Sequence, residues 1–279
     1  MTVAFKSEEG KKEIFKYYEL LLTKGSLEYE ELFIDTNYGK TFIIAMGKKE
    51  LPPLILLHGS GMNSAMWREE MEVYSQKYRV YAVDMPGEPG KSDENQLPFE
   101  GYDFANWLND VFNALEIKKA SIVGISLGAW LGSKFAIKYS EKVDKLVLLC
   151  PAGIGPQKKS FAFKALFYNI LGERGIDKLY CKVNGDKPMP EIILNYQKLI
   201  GRHFNFRKGI IPLFSDDELT KLTMPVSLFV GAKDIMFYSE QTAKRLKSIV
   251  NHANINIIPD EGHSLVNQGE NIREFLNMV

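Results

Sequence analysis

A serine lies at the centre of a Gly-x-Ser-x-Gly pattern at residues 124–128 of the chain. The apolar run 121–123 before it predicts a strand, and the run 129–136 after it predicts a helix. A sharp strand-to-helix turn needs small residues on both sides of the serine, because strand and helix approach closely there and the hydroxyl is held out of the sheet. Ser126 is therefore the predicted nucleophile.

A serine hydroxyl is a weak nucleophile near neutral pH, so it needs a base and a third group that orients the base. His263 is the candidate base, since it follows the last predicted strand through a glycine-containing loop. Among the other histidines, His203 lies in a helix-rich region and His252 near a helix end. His58 ends an earlier strand, where we expect it to shape the loop through backbone hydrogen bonds.

The acid of such a triad is expected at the end of another strand. Asp234 follows the apolar run 226–230 on a tight turn, which places it at the carboxyl edge of the predicted sheet. Asp260 and Glu261 are the alternatives, although both fit better as solvated loop charges. The order serine, aspartate, histidine along the chain then agrees with the order known for a nucleophile on a strand-to-helix turn.

Acyl transfer also requires hydrogen-bond donors for the negative charge that develops on the carbonyl oxygen. The backbone N–H of Leu127, at the start of the predicted helix, is one natural donor. The second is expected in the loop 58–63, which follows an apolar run and is rich in glycine. We assign Ser60 to this role, with Gly61 as the alternative.

Eight short apolar runs predict strands around these residues. An amphipathic helix precedes them, with Ser7 as its N-cap and Gly25 just past its end. The first two runs flank a hairpin turn, and the later ones alternate with helical patterns, which predicts an α/β protein with a mostly parallel, eight-stranded sheet flanked by helices. The runs are Leu32–Thr36, Thr41–Met46, Leu54–Leu57, Val80–Val83, Ala120–Val123, Lys145–Leu149, Val226–Val230 and Ile255–Ile258.

The rhythm of strands and helices is broken once. Residues 153–218 contain helical patterns without a convincing strand, which predicts a helical cap inserted into a core domain made of residues 1–152 and 219–279. A pair of crossover helices is the alternative, although an ordinary crossover is far shorter. Aromatic side chains are expected to line the substrate pocket, and the candidates are Trp130, Phe161, Phe167, Tyr168 and Tyr196.

Charge and composition argue against several classes of protein. Lysine plus arginine and aspartate plus glutamate both number 35 in the 279 residues, so no net charge attracts nucleic acid or an anionic membrane. The sequence shows no targeting pattern and no apolar run of membrane-spanning length, so we expect a cytoplasmic protein without membrane insertion. Cys150 and Cys181 are too few for a disulfide framework and lack the spacing of a zinc site.

Taken together, these motifs resemble the α/β-hydrolase superfamily over essentially the whole chain. The resemblance is carried by Ser126, by His58 in the oxyanion loop, by Asp234 and His263, and by a cap after the sixth strand. It implies a serine hydrolase with no metal and no organic cofactor. In such an enzyme Ser126 attacks an acyl carbonyl, His263 shuttles the proton, and water then releases the acyl enzyme.

A narrower resemblance, to a bacterial carboxylesterase subgroup, covers the leading helix and three later segments: Ser60–Trp67, Asp84 with Gly90 and Ser92, and Tyr102–Val111. It implies a small-molecule ester as substrate, small to medium in size and mostly uncharged, since the cap is rich in aromatic residues. A thioesterase or a carbon–carbon bond hydrolase with the same triad is the alternative enzyme, although the oxyanion loop lacks the Gly-Gly pair common among carbon–carbon hydrolases. A small-molecule receptor on the same fold is the alternative outside enzymes.

Overall fold

The structure is a computed structural model that describes residues 4–23, 28–265 and 268–278. Its eight strands form one sheet in the order β1-β2-β4-β3-β5-β6-β7-β8. Strands β1 and β2 form an antiparallel hairpin, β2 pairs antiparallel with β4, and all other neighbours are parallel. The strands are β1 Glu30–Thr36, β2 Gly39–Met46, β3 Pro53–Leu57, β4 Arg79–Val83, β5 Ala120–Ile125, β6 Val143–Leu149, β7 Val226–Gly231 and β8 Asn254–Ile258.

Helices accompany this sheet along the described chain, together with two short 3₁₀ segments, Ser64–Trp67 and Ser140–Lys142. The helices are α1 Glu8–Leu22, α2 Arg68–Tyr74, α3 Asp103–Ala114, α4 Leu127–Lys138, α5 Ser160–Ile170, α6 Gly172–Val183, α7 Glu191–His203, α8 Asp216–Leu219, α9 Ser239–Ile249 and α10 Gly269–Asn277. None of those described combines the length and hydrophobicity required to cross a bilayer.

The sheet is buried on both faces, as its apolar strands predict. In β3, Ile55 and Leu57 pack into a core with α3, α4 and α9, whereas Leu54 and Leu56 pack into a second core with α1, α2 and α10. Alternate residues of a strand point to opposite faces, so one strand supplies both cores. The predicted fold, a mostly parallel eight-stranded sheet flanked by helices, is confirmed.

The predicted N-terminal helix is α1. The Ser7 hydroxyl accepts a hydrogen bond from the Gly10 N–H at 3.1 Å and caps the helix, as the sequence indicated. Ile14 and Tyr18 lie on its buried face. Gly25, the residue predicted to follow the helix, lies outside the described residues.

Four helices and no strand occupy the chain between β6 and β7, all of which is described. Helix α7 packs back onto α1, where Tyr17 and Tyr196 stack with ring centroids 5.1 Å apart. Helix α5 is different, because none of its residues is buried. The helical segment is thus anchored to the core through α7, while α5 lies at its surface.

Candidate active site

Ser126 occupies a strained backbone position between β5 and α4. Its φ of 52° and ψ of −108° lie in a region that non-glycine residues avoid, and such strain costs on the order of 1–3 kcal/mol. The serine is partly exposed, although Leu127 beside it is buried. A Cβ on Gly124 would lie 2.5 Å from the carbonyl carbon of Gly128, and one on Gly128 would lie 2.6 Å from the His58 carbonyl oxygen. The two glycines of the motif are therefore required by the close approach that the sequence predicted.

Backbone hydrogen bonds hold the turn in this strained form. The Ser126 N–H donates to the Leu149 carbonyl at 2.8 Å, and the Ser126 carbonyl accepts from Trp130 at 3.0 Å and from Ala152 at 3.3 Å. The residue after Leu149 is Cys150, whose N–H donates to the Phe229 carbonyl at 2.8 Å. The ends of β5, β6 and β7 are thereby tied together at one edge of the sheet.

Asp234 and His263 form a hydrogen-bonded acid–base pair at that edge. The Asp234 Oδ2 atom lies 2.8 Å from His263 Nδ1, and its Oδ1 atom accepts from the N–H groups of Met236 at 2.6 Å and Phe237 at 3.0 Å. Burial by itself raises the pKa of Asp234, but the positive charge and hydrogen bond of His263 and the two backbone donors outweigh it, so the pKa lies below its usual value. Asp234 is therefore held as a carboxylate.

The loop of His263 is fixed from two sides. Its backbone N–H donates to the Val183 carbonyl at the end of α6, at 2.8 Å, and its imidazole stacks on Phe237 with ring centroids 5.1 Å apart. Because Nδ1 faces Asp234, Nε2 is the nitrogen left to exchange a proton with a nucleophile. The structure thus brings Asp234 and His263 together, as the sequence predicted, at the sheet edge where Ser126 lies.

Cys150 lies beside Asp234 and His263, a position that the sequence did not indicate. Its sulfur and the ligand atoms of Asp234 and His263 all lie within 4.8 Å of one another. Burial, and then the neighbouring Asp234 carboxylate, raise the pKa of the Cys150 thiol well above its usual value. A protonated thiol is a poor metal ligand, and the other two side chains already bond to each other, so the three groups fit an acid–base pair beside a neutral thiol better than a metal centre.

The loop 58–63 passes directly beside the nucleophile, since a Cβ on Gly59 would lie 3.8 Å from the Cβ of Ser126. The N–H groups of Ser60 and Leu127 make no hydrogen bond within the described residues and remain available to an incoming oxyanion. The Gly61 N–H, by contrast, donates to the buried Glu88 carboxylate at 2.7 Å. The alternative assignment of Gly61 as the second oxyanion donor is therefore wrong, because its N–H is already bonded to Glu88. Ser60 remains the candidate donor.

His58 shapes this loop, as expected, and is not a base. Its Nε2 accepts from the Met85 N–H at 2.9 Å, so its Nδ1 carries the hydrogen and donates to the Gly59 carbonyl at 2.8 Å. Burial lowers the pKa of His58, although nearby Asp84 and Glu88 and the bond to Gly59 partly oppose it. The ring is neutral and completely buried, with both nitrogens engaged.

Two of the five predicted pocket residues are corrected by the structure. Trp130 is 0% exposed and packs edge-on against Phe99 and Phe104 in the core. Tyr196 is 1% exposed and its hydroxyl lies 2.5 Å from the Asn63 amide. Both side chains are buried, because aromatic residues on a helix pack into a core as readily as they line a pocket.

The other three predicted pocket residues lie on α5, where they are open to solvent. Phe161 and Tyr168 are partly exposed, and Phe167 is 59% exposed with its ring edge-on to Tyr168 at 5.6 Å. Nothing in the fold buries them in the core, so they stay candidates for a pocket wall.

Proteins similar to this chain are known from bacteria. Residues 52–173 match the sequence model of a family described as alpha/beta hydrolase fold. Carboxylesterase YbfK of Bacillus subtilis is 29% identical over 276 residues, which cover 95% of this chain and 92% of that protein. The crystal structure of naproxen esterase from Bacillus subtilis superimposes with a TM-score of 0.87 at 27% identity, covering 98% of this chain and 100% of that chain. A 2-hydroxy-6-oxo-6-(2'-aminophenyl)hexa-2,4-dienoic acid hydrolase of Metapseudomonas resinovorans is 25% identical over 88% of each chain.

Proposed function

Since this chain is an α/β hydrolase similar to bacterial carboxylesterases, we propose that it cleaves small to medium, mostly uncharged carboxylic esters through an acyl enzyme on Ser126. The observation that carries the proposal is the 2.8 Å bond between His263 and Asp234 at the sheet edge that also holds the strained Ser126. A base oriented by a carboxylate, at the same sheet edge as a partly exposed serine, is the arrangement that serine acyl transfer requires.

In the proposed reaction, the Ser126 oxygen attacks the acyl carbon while His263 Nε2 takes the hydroxyl proton. The carbonyl oxygen becomes negatively charged and accepts hydrogen bonds from the N–H groups of Ser60 and Leu127, each worth about 3 kcal/mol of barrier. The carbon–oxygen bond to the alcohol then breaks, and the alcohol leaves with the proton from His263. Water, deprotonated by the same nitrogen, hydrolyses the acyl enzyme and restores Ser126.

Residues 153–218 are proposed to act as a cap over this site. The support is that α6, one of the four helices between β6 and β7, reaches the catalytic edge, where the Val183 carbonyl accepts a hydrogen bond from the His263 N–H. Phe161, Phe167 and Tyr168 of α5 are proposed to line the acyl or alcohol pocket when substrate is bound. No metal or organic cofactor takes part in the proposed steps.

The test is hydrolysis of a p-nitrophenyl ester series, from acetate to long acyl chains, by the wild type and by Ser126→Ala. A matched control is Ser133→Ala in the same helix, whose hydroxyl only bonds the Ala129 carbonyl at 2.9 Å. We expect Ser126→Ala to lose roughly a factor of 10⁶ in kcat and Ser133→Ala to retain activity. Mass spectrometry of the quenched wild type should show an acyl group on the peptide that contains Ser126. Absence of turnover at every chain length, or activity retained by Ser126→Ala, contradicts the proposal.

A carbon–carbon bond hydrolase with the same triad is the second candidate, favoured by the 25% identity to the Metapseudomonas enzyme. Such an enzyme would process vinylogous diketones far more efficiently than simple esters. Parallel kcat/KM measurements on a vinylogous diketone, an acyl thioester and the preferred p-nitrophenyl ester therefore decide between the candidates. The proposal requires the ester to be the best of the three.

A further inference from the structure

Glu88 is a buried carboxylate that joins the oxyanion loop to the chain after α7, within the helical segment between β6 and β7. It lies in the loop after β4, and its side chain is 1% exposed. Its Oε2 atom accepts from the Gly61 N–H at 2.7 Å, and its Oε1 atom accepts from Arg207 Nε at 2.9 Å. Arg207 follows α7, so three distant parts of the chain meet at one carboxylate.

The Arg207 side chain is buried, and its donors are bonded to neighbouring groups. Its side chain is 7% exposed, and its remaining donors bind the Leu97 carbonyl at 2.7 Å and the Pro86 carbonyl at 2.6 Å. The guanidinium also lies 5.1 Å from the ring centre of Phe104. Its positive charge offsets the Glu88 charge, which would otherwise oppose a negative charge forming at the neighbouring oxyanion site.

The Gly61 turn is held on its other side by the residue before Arg207. Gly61 has a φ of 68°, and a Cβ at this position would overlap the ring of Phe206. The turn thus has a left-handed conformation that favours glycine, one hydrogen bond to Glu88, and an aromatic ring packed against it. Ser60, whose N–H is the candidate oxyanion donor, immediately precedes this fixed residue.

We propose that Glu88 and Arg207 are positioning residues that set the oxyanion site by fixing the Gly61 peptide, so that the Ser60 N–H stays directed toward Ser126. The proposal rests on the function proposed above. Glu88 captures one of the two adjacent N–H groups, which leaves only the other for the reacting oxygen. Phe206 and Arg207 lie in the helical segment, between α7 and α8, so a displacement of that segment also displaces the oxyanion donor.

The test compares Glu88→Gln with Glu94→Gln, a control in the same loop whose carboxylate is partly exposed and pairs with Lys11 at 2.8 Å. In the wild type Gly61 and Arg207 donate to different carboxylate oxygens of Glu88, whereas a glutamine offers one acceptor oxygen and places an NH₂ donor at the other position. We expect kcat of Glu88→Gln to fall by about tenfold to a hundredfold, with KM within about twofold of the wild type, because a misplaced donor is lost mainly in the transition state. Glu94→Gln should match the wild type in both constants.

A second readout separates positioning from loss of folded protein. Phenylboronic acid adds to a serine oxygen and forms a negatively charged tetrahedral boronate. Its boron takes the place of the acyl carbon and one of its oxygens lies where the oxyanion forms, so its affinity for Glu88→Gln should fall by a factor similar to that of kcat. Partial unfolding would instead reduce the fraction of binding sites without changing their affinity. If Glu88→Gln does not fold, Arg207→Lys serves in its place, because lysine keeps the charge but cannot bind Glu88, Leu97 and Pro86 together.

The outcomes distinguish this inference from the proposed function. Wild-type turnover that Ser126→Ala abolishes, combined with unchanged kcat and boronate affinity in Glu88→Gln and Arg207→Lys, overturns the positioning role alone. A rise in KM at unchanged kcat also overturns it, since that pattern belongs to substrate binding. A wild type that neither hydrolyses esters nor binds phenylboronic acid overturns both proposals.

Discussion

Gly128→Ala should damage both the fold and the site, because the added methyl group has nowhere to go. Its Cβ would lie 2.6 Å from the His58 carbonyl oxygen, and the Leu57 carbonyl oxygen is closer still. Both oxygens belong to the backbone at the end of β3 and the start of the oxyanion loop, so neither can rotate away. Relief requires a shift of roughly 1 Å between α4 and β3, in a region packed as densely as an organic crystal.

The magnitude follows from two opposing contributions. Alanine gains about 1 kcal/mol over glycine inside a helix, which favours the variant. Overpacking against a rigid backbone costs about 1–3 kcal/mol, and more when a sheet must move, so the free energy of unfolding should fall by about 2 kcal/mol or more. The same displacement separates Ser126 from the Ser60 N–H, and a 1 Å misplacement costs about a hundredfold in rate.

Gly132→Ala is the matched control, one turn further along the same helix. Its Cβ would lie 3.2 Å from the Ile122 Cγ2 atom, a side-chain atom that needs to move only a few tenths of an ångström. We expect its stability within about 1 kcal/mol of the wild type and its kcat unchanged. Urea denaturation and p-nitrophenyl ester hydrolysis of both variants provide the measurement. Gly128→Ala as stable and as active as Gly132→Ala would refute the reasoning about close approach.

Three further perturbations test the electrostatics. Burial raises the pKa of Glu70 from 4.5 to about 7, so the folded state loses stability as the pH rises from 4.5 to 7. In urea denaturation, the free energy of unfolding of Glu70→Gln should therefore exceed that of the wild type by about 2–3 kcal/mol at pH 8 and equal it at pH 4. Asp234→Asn should lower kcat by about 10⁴-fold at little change in KM, because His263 loses the acceptor that fixes its tautomer. The pKa of Asp234 in the wild type is lowered, so the Asp234 carboxylate stabilises the fold at pH values above the ordinary pKa of an aspartate, and this stabilisation is lost as the pH falls. Urea denaturation between pH 6 and pH 3 should therefore show a shallower decline in stability for Asp234→Asn than for the wild type. Arg207→Met should destabilise the protein by about 3–5 kcal/mol in urea denaturation, since it leaves the Glu88 charge buried without its partner.

Local patterns explain why so much of the fold and site could be predicted. Each strand was indicated by its own apolar run. The Ser126 turn was indicated by two glycines, which allow the strand and the helix to approach closely within five residues of sequence. Asp234 and His263 were found because each lies in the loop that follows a strand, and parallel strands bring their carboxyl ends to one edge. Their hydrogen bond therefore followed from topology, without knowledge of any side-chain packing.

The prediction of pocket residues was wrong for Trp130 and Tyr196, because the same kind of residue serves two purposes. Trp130 and Tyr196 lie on helices whose aromatic residues either fill a core or line a cavity, and the sequence gives no preference between them. The structure resolves this through neighbours that are distant in sequence, such as Phe214, which stacks on Trp130 at 6.1 Å, and Tyr17, which stacks on Tyr196. Only the assembled fold supplies those neighbours.

The choice between Ser60 and Gly61 was beyond sequence reasoning for a related reason. It depends on Glu88, 27 residues away, and on Arg207, which lies another 119 residues beyond Glu88. Stability alone does not account for this buried pair, because replacing a buried ion pair by apolar side chains is often neutral or stabilising. An apolar replacement would, however, leave the Gly61 N–H without its acceptor, and that amide would then compete with Ser60 for the reacting oxygen. The pair is hydrogen-bonded to Gly61, the residue that follows the oxyanion donor Ser60. Its presence is thus better explained by the geometry that it imposes on the loop than by the stability that it adds to the fold.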